Sequence, residues 1–158
     1  EESLPHTLRT LYQTLKKYDI PHEICVTNDN SKDNTLGMLQ QLSLEIPTLV
    51  YFTNPGPNGF GYAVRYGLER FTGDCVAVFM ADMSDDPEDL VKYYNKMLET
   101  GVDAVFGSRW GKGGRVIDYP QLKKVINRAA NFIVKMVMGI KYNDTTNAFK
   151  LYKRETIE

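Results

Sequence analysis

The chain has 158 residues, 42% hydrophobic and 25% charged, which suits one domain with a buried core. No apolar run approaches the ~20 residues of a membrane span. The two histidines, His6 and His22, stand outside any metal-ligand spacing, which argues against zinc hydrolysis and histidine-based triads. The net charge of −1 hides an imbalance: residues 1–106 hold 8 Lys/Arg against 16 Asp/Glu, and 107–158 hold 11 against 4. Either this is a solvated surface, or the basic half faces a fixed anion such as a phosphate or an anionic membrane. A nucleic-acid partner is not expected, because the basic half lacks an aromatic-interleaved face and the other half is acidic.

The leading segment "LPHTLRTLYQTLKKY" has helical spacing at Leu4, Leu8, Leu11 and Leu15. Apolar strand-like runs follow at 23–28, 48–53, 75–81, 103–108 and 147–152. Helix-like segments lie near 34–45, 60–71 and 87–100, and a further helix fits 120–138. Strands alternating with helices predict a three-layer α/β fold with a mainly parallel sheet. Helices like the first one usually follow a strand, so an opening strand is expected to be missing. The end at "RETIE" has the same look of an interruption, so residues 1–158 are expected to form one domain cut at both ends. Cys25 and Cys75 both fall in apolar runs, as buried free thiols do.

Ligands of open α/β sheets bind beyond the carboxyl ends of the strands, so polar residues just after a strand carry the most functional weight. In "MADMSDDPEDL", Pro87 fits the first helical position, Asp86 its N-cap, and Glu88 and Asp89 its first turn. Asp82 precedes the helix, at the strand's end, and can offer hard oxygen ligands to a divalent cation; Asp85 fits either group. In "NDNSKDNT", Ser31 or Asp33 is expected to cap a helix from near Asn34, while Asp29 at the strand tip has two oxygens able to accept from a nucleobase or ribose. "NPGPNGFGYAVRYG" is a turn-rich entry to a helix in which Gly59 and Gly61 permit close backbone approach. "GSRWGKGGRVIDYP" has four glycines and three cations, and Arg109 directly follows a strand. The helix after it carries Lys123, Lys124 and Arg128, then turns apolar through "NFIVKMVMG"; it fits either a core helix or one lying on a membrane.

Together these residues resemble family 2 glycosyltransferases of the GT-A fold, in particular the branch of dolichyl- and polyprenyl-phosphate sugar synthases. "NDNSKDNT" matches the D-D-x-S-x-D-x-T nucleotide loop with Asn28 in place of the first acid, and "NGFGYAVRYG" the N-x-G-x-x-x-A-x-x-x-G helix entry. "MADMS" falls on the D-A-D metal motif with Met80 in place of its first acid. "GSRW" matches G-S-R, and "NDTTNAFKLYKR" matches D-x-T-x-x-F-x-x-Y-x-R. Five motifs in the right order cover nearly the whole chain.

The resemblance implies a single catalytic domain that moves a sugar, with inversion, from a nucleoside diphosphate sugar to a polyprenyl or dolichyl phosphate at the cytoplasmic face of a membrane. Asp29, with Asn28 and Gly59, would hold the nucleotide. Asp82, with Ser84 and Asp85, would bind Mg²⁺ or Mn²⁺. Arg109 and Arg128 would meet the acceptor phosphate, with Asp82 and Arg109 central to catalysis and Asp144 a further candidate. Two alternatives stay open. A sugar hydroxyl acceptor, as in polysaccharide or cell-envelope synthesis, would need a carboxylate base, which such relatives carry in a Glu-Asp pair further along. Met80 and the absent strand fit a non-catalytic nucleotide-binding domain.

Overall fold

Leucines three and four apart give one apolar stripe along α1 (Leu4–Lys17), and all four are buried. The computed structural model describes residues 2–109, 121–140, 142 and 144–157, the side chains of 121–124 excepted. After α1 come β1 (Ile24–Asn28), α2 (Thr35–Glu45), β2 (Leu49–Thr53), α3 (Phe60–Leu68) and β3 (Cys75–Ala77). Then follow α4 (Pro87–Thr100), β4 (Ala104–Phe106), α5 (Gln121–Met138), β5 (Lys150–Lys153) and a closing 3₁₀ turn over Arg154–Thr156. This is the α/β alternation that the periodicity predicts.

β1 and β2 pair in parallel, from Ile24 opposite Leu49 to Asn28 opposite Thr53. The other ladder is antiparallel: β5 lies between β3 and β4 and runs against both. A mainly parallel sheet is therefore found only in β1–β2. The crossover through α4 skips one strand position, and the returning β5 fills it. β3, β4 and β5 are also clearly shorter than their apolar runs. Val78 N still reaches Lys150 O at 3.4 Å, but Met80 N donates to the Asp85 carboxylate, which draws the backbone off the ladder after β3. At β5 the Asn147 side chain accepts from Phe149 N, so pairing starts at Lys150.

Alternate residues of the strands face opposite layers. Ile24 and Leu49 join the α1 leucines, Leu39, Leu42, Ile46 and Val91 in one buried core, with Val26, Tyr51 and Phe79 at its margin. The other face of β1 and β2 meets α3, where Phe52 packs edge-on to Tyr66 and Gly67 lies so close to Thr27 that a Cβ would sit 3.1 Å from its hydroxyl. The three layers are thus present. Among the described residues, the second edges of β1 and β3 carry no ladder partner. The Glu23 carboxylate nonetheless links them by accepting from Thr72 N and Gly73 N, which pins the start of β1 to the approach to β3. Arg154 secures the same approach, donating to Phe71 O and Gly73 O while its guanidinium stacks on the Phe71 ring.

Cys25 and Cys75 are free and half-buried; burial, with help from Glu23, pushes the Cys25 thiol up to about 11. Among the described residues no helix is long and apolar enough to cross a membrane. The core yields a direct test on α2, where Leu39 is fully buried and Leu44 is 88% exposed. Leu39→Ala is expected to cost about 2–5 kcal/mol, seen as a lower urea midpoint at unchanged slope, while Leu44→Ala shifts stability by no more than about 0.5 kcal/mol.

Candidate active site

The parallel β1–β2 pair delivers two loops to one edge of the sheet, and Asp29 ties them together. Its Oδ2 accepts from Gly59 N at 2.6 Å and its Oδ1 from Asn54 Nδ2 at 2.8 Å. Asn54, almost fully buried, also donates to Pro57 O and accepts from Gly56 N, so one amide shapes the whole turn. Asn30, at φ +57°, donates to Asn54 O and to the Asn58 side chain. Gly59 has φ +143°, a conformation that side chains disfavour, and α3 starts directly after it. Both Asp29 oxygens therefore already accept from the protein, and each keeps a further lone pair for a ligand. Asn28 is buried and accepts from Ser31 N, which makes it a turn former. The helix-capping expectation holds in altered form: Asp33 accepts from the Thr35 backbone and hydroxyl, one position upstream of the Asn34 cap.

After β3 the acids divide as their positions predict. Asp86 caps α4 by accepting from Glu88 N at 2.9 Å, with Pro87 next. Glu88 pairs with Lys17 and Tyr18, and Asp89 with Lys92. Asp82 is exposed, and its Oδ1 accepts from Ser84 N at 3.0 Å across Met83, whose φ is +66°. The Ser84 hydroxyl and backbone hold the Asp82 carboxyl below the usual carboxylate range despite some burial. Asp85 behaves oppositely: burial, reinforced by the Asp82 charge, pushes it up, against the pull of Met80 N–H and Arg109. Ser3 Oγ and Thr7 Oγ1 lie 3.0 and 3.1 Å from Ala81 O, so the first turn of α1 holds the carbonyl just before Asp82. Nothing local in the sequence signals that contact.

The third corner is built around Asp144, whose side chain has no exposed surface. Arg109 grips it in a fork, Nε to Oδ2 at 2.9 Å and NH2 to Oδ1 at 2.7 Å, and Arg109 N donates to Oδ2 as well. Burial pushes the Asp144 carboxyl up, but the Arg109 hydrogen bonds and charge outweigh this and leave it below the usual range. Arg109 NH2 also reaches Thr146 Oγ1 at 3.0 Å. Asn131 on α5, 2% exposed, accepts from Thr145 N and donates to Thr146 Oγ1. A buried amide within the apolar "AANFIV" stretch is the one sequence signal for this contact. Gly107 is buried where a Cβ would fall inside the Tyr93 hydroxyl. Arg128 sits on α5 beside Asn127 and is exposed. The glycine-rich loop 110–120 and the start of the helix fitted from 120 lie outside the described residues.

Asp29, Asn28 and Gly59 thus form one cluster, Asp82, Ser84 and Asp85 a second, and Arg109 with Asp144 a third, with Asp85 feeling the charges of both Asp82 and Arg109. The family model for glycosyl transferase family 2 matches residues 1–158. The chain belongs to this family. It is 32% identical over 141 residues to a polyprenol monophosphomannose synthase of Mycolicibacterium smegmatis, covering 85% of this chain and 52% of the relative. It is 30% identical to a dolichol-phosphate mannosyltransferase of Pyrococcus furiosus, over 87% of this chain and 39% of that protein. An undecaprenyl-phosphate mannosyltransferase of Micrococcus luteus is 30% identical over 99% of this chain and 63% of its own length. The chain therefore spans about two fifths to three fifths of these curated relatives.

Removing the buried carboxylate charge of this glycosyltransferase domain leaves Arg109 facing a neutral amide. Asp144→Asn is expected to cost on the order of 3 kcal/mol at neutral pH. The native carboxyl is held low, so its contribution is complete above the unfolded value near about 3.9 and fades as pH falls through the lower native value. Urea melts over an acid pH series should show the difference between wild type and Asp144→Asn shrinking in that window.

Proposed function

We propose that the domain transfers a mannosyl residue, with inversion, from a nucleoside diphosphate sugar to a polyprenyl or dolichyl phosphate. The carrying observation is that Asp82, Asp85 and Arg109 follow β3 and β4 at strand ends, with Asp85 subject to both neighbouring charges. Membership of glycosyl transferase family 2 and the names of the three relatives support the same reading.

Asp29, braced by Gly59 N and Asn54, and the turn shaped by Asn28 hold the nucleoside. Asp82 and Asp85, with the Ser84 hydroxyl, fit a hard divalent cation, Mg²⁺ or Mn²⁺. They offer oxygen donors only, and the repulsion between the two carboxylates is relieved by positive charge. Among the described residues no set of three acidic, histidine or cysteine ligands gathers; Asp82, Asp85 and the Ser84 hydroxyl are the oxygen donors that would hold the ion. Bound there, such an ion would neutralise charge on the departing diphosphate. Arg109, its plane set by Asp144 and Thr146, orients the acceptor phosphate, with Arg128 as a second cation. A phosphate monoester has its second pKa near about 6, so the acceptor oxygen is already anionic at neutral pH and attacks the anomeric carbon without a protein base.

The reaction takes place at the cytoplasmic face of a membrane, where the lipid acceptor resides. The domain is one catalytic unit of the GT-A fold. Met80, where the family motif has an acid, favours the non-catalytic alternative, so binding and turnover need separate tests. Calorimetry should find Mn²⁺-dependent binding of GDP or UDP that falls at least about tenfold in Asp82→Ala, the cost of losing one charged ligand. Retained metal dependence in that variant would refute the site. The full-length protein should release nucleotide from a mannose donor only when polyprenyl phosphate is present. Metal-dependent nucleotide binding with no turnover on any donor would establish the scaffold instead.

A further inference from the structure

The acidic loop and the Arg109–Asp144 corner leave the sheet on either side of β5, and the ladder is loose at that level. Val78 N reaches Lys150 O, and Gly107 N reaches Phe149 O, each at 3.4 Å, beyond the usual range of about 2.7–3.2 Å. Side-chain packing takes over here. Phe149, 4% exposed, meets the Phe79 ring edge-on at 5.4 Å and the Tyr93 ring at 4.8 Å. Phe79 lies just before the acidic loop, and Phe149 just past the Thr145–Thr146 turn. Tyr93 stands about two turns into α4, the helix that begins where the acidic loop ends, and its phenol also rests against Gly107, two residues before Arg109. One ring therefore touches the exit of β4 and the entry of β5 from the helix that carries the acids. Burial and the charges of Asp89, Asp85 and Asp144 push its hydroxyl up to about 12, so it stays neutral at working pH.

We propose that Tyr93 is a positioning residue whose ring sets the spacing between the cation-binding acids and Arg109. The kinetic consequence rests on the transferase reading; the spacing itself does not. Each half of the site is held by its own contacts, Ser84 N for Asp82, Met80 N for Asp85 and Asp144 for Arg109. Neither half needs Tyr93 in order to form, but the separation between them does. In the proposed reaction the leaving diphosphate sits at one half and the attacking phosphate at the other. That separation is the distance the sugar has to cross, and a displacement of about 1 Å costs roughly a hundredfold in rate with both partners still bound. The ring is sufficient for this role. Its Cζ alone lies 3.0 Å from where a Cβ on Gly107 would stand, so the contact does not depend on the hydroxyl.

The test compares Tyr93→Leu, which removes the ring, with Tyr93→Phe, which keeps it, in the full-length protein. Tyr93→Leu should bind nucleotide and Mn²⁺ at unchanged stoichiometry and keep its KM for polyprenyl phosphate, while kcat falls between roughly tenfold and a hundredfold. Tyr93→Phe should restore kcat to near the wild-type value. Spacing is read separately, without metal or turnover, by a nitroxide on Met83→Cys at the exposed apex of the acidic loop, in a Cys25→Ser/Cys75→Ser background. Its broadening of the Arg109 Nε–H resonance should change in Tyr93→Leu and match wild type in Tyr93→Phe. Should Tyr93→Leu fail to fold, Phe149→Leu loosens the same contact from the β5 side and is expected to give the same pattern. The proposal is overturned if the ring-less variant keeps both kcat and the broadening, if acceptor KM rises in place of the kcat loss, or if Tyr93→Phe is equally impaired. Altered broadening in Tyr93→Leu, with no turnover even in wild type, would uphold the spacing role and count only against the transferase reading.

Discussion

A carboxylate with no exposed surface must be matched where it sits, and Arg109 supplies the match for Asp144. Three donors from one residue converge on that group, so the exit of β4 and the turn before β5 are fixed to each other. Thr146 and Asn131 extend the lock to α5. The guanidinium therefore has its orientation set by the protein itself, and little side-chain entropy remains for it to lose in a further contact. A lysine at this position could not reproduce the fork.

The acidic loop uses contrast rather than rigidity. Asp82 and Asp85 lie close enough to influence each other, yet local hydrogen bonds draw one down while burial lifts the other. Such a pair gathers negative potential at the strand ends without forcing both charges into full repulsion. Its placement depends on the distant first turn of α1, where Ser3 and Thr7 hold the carbonyl of Ala81.

What the sequence revealed was mostly local. The leucine stripe of α1 and the Asp86–Pro87 start of α4 follow from spacing and capping chemistry, and both lie where expected. In sequence, four of the five motifs lie in the connections after β1, β2, β3 and β4, and the fifth runs into β5. The antiparallel insertion of β5 was not legible, because "NAFKLY" has the same apolar character whichever way the strand runs. The partners of Asp29 are a non-local matter too, since Asn54 and Gly59 reach it from the next strand's loop. The outward face of α5 was undecidable from periodicity, which reports that a stripe exists and not what it meets. Only the buried position of Asn131 shows which side is anchored.

Gly107 carries a consequence of another kind. Its missing side chain leaves the room that the phenol of Tyr93 on α4 occupies, and that ring in turn packs on Phe149 just before β5. Positions 93 and 107 share one volume, so a larger residue at 107 becomes tolerable only together with a smaller ring at 93. Across natural variants the two sites should change as a couple, and drift at either one alone should be purged for shape rather than for chemistry.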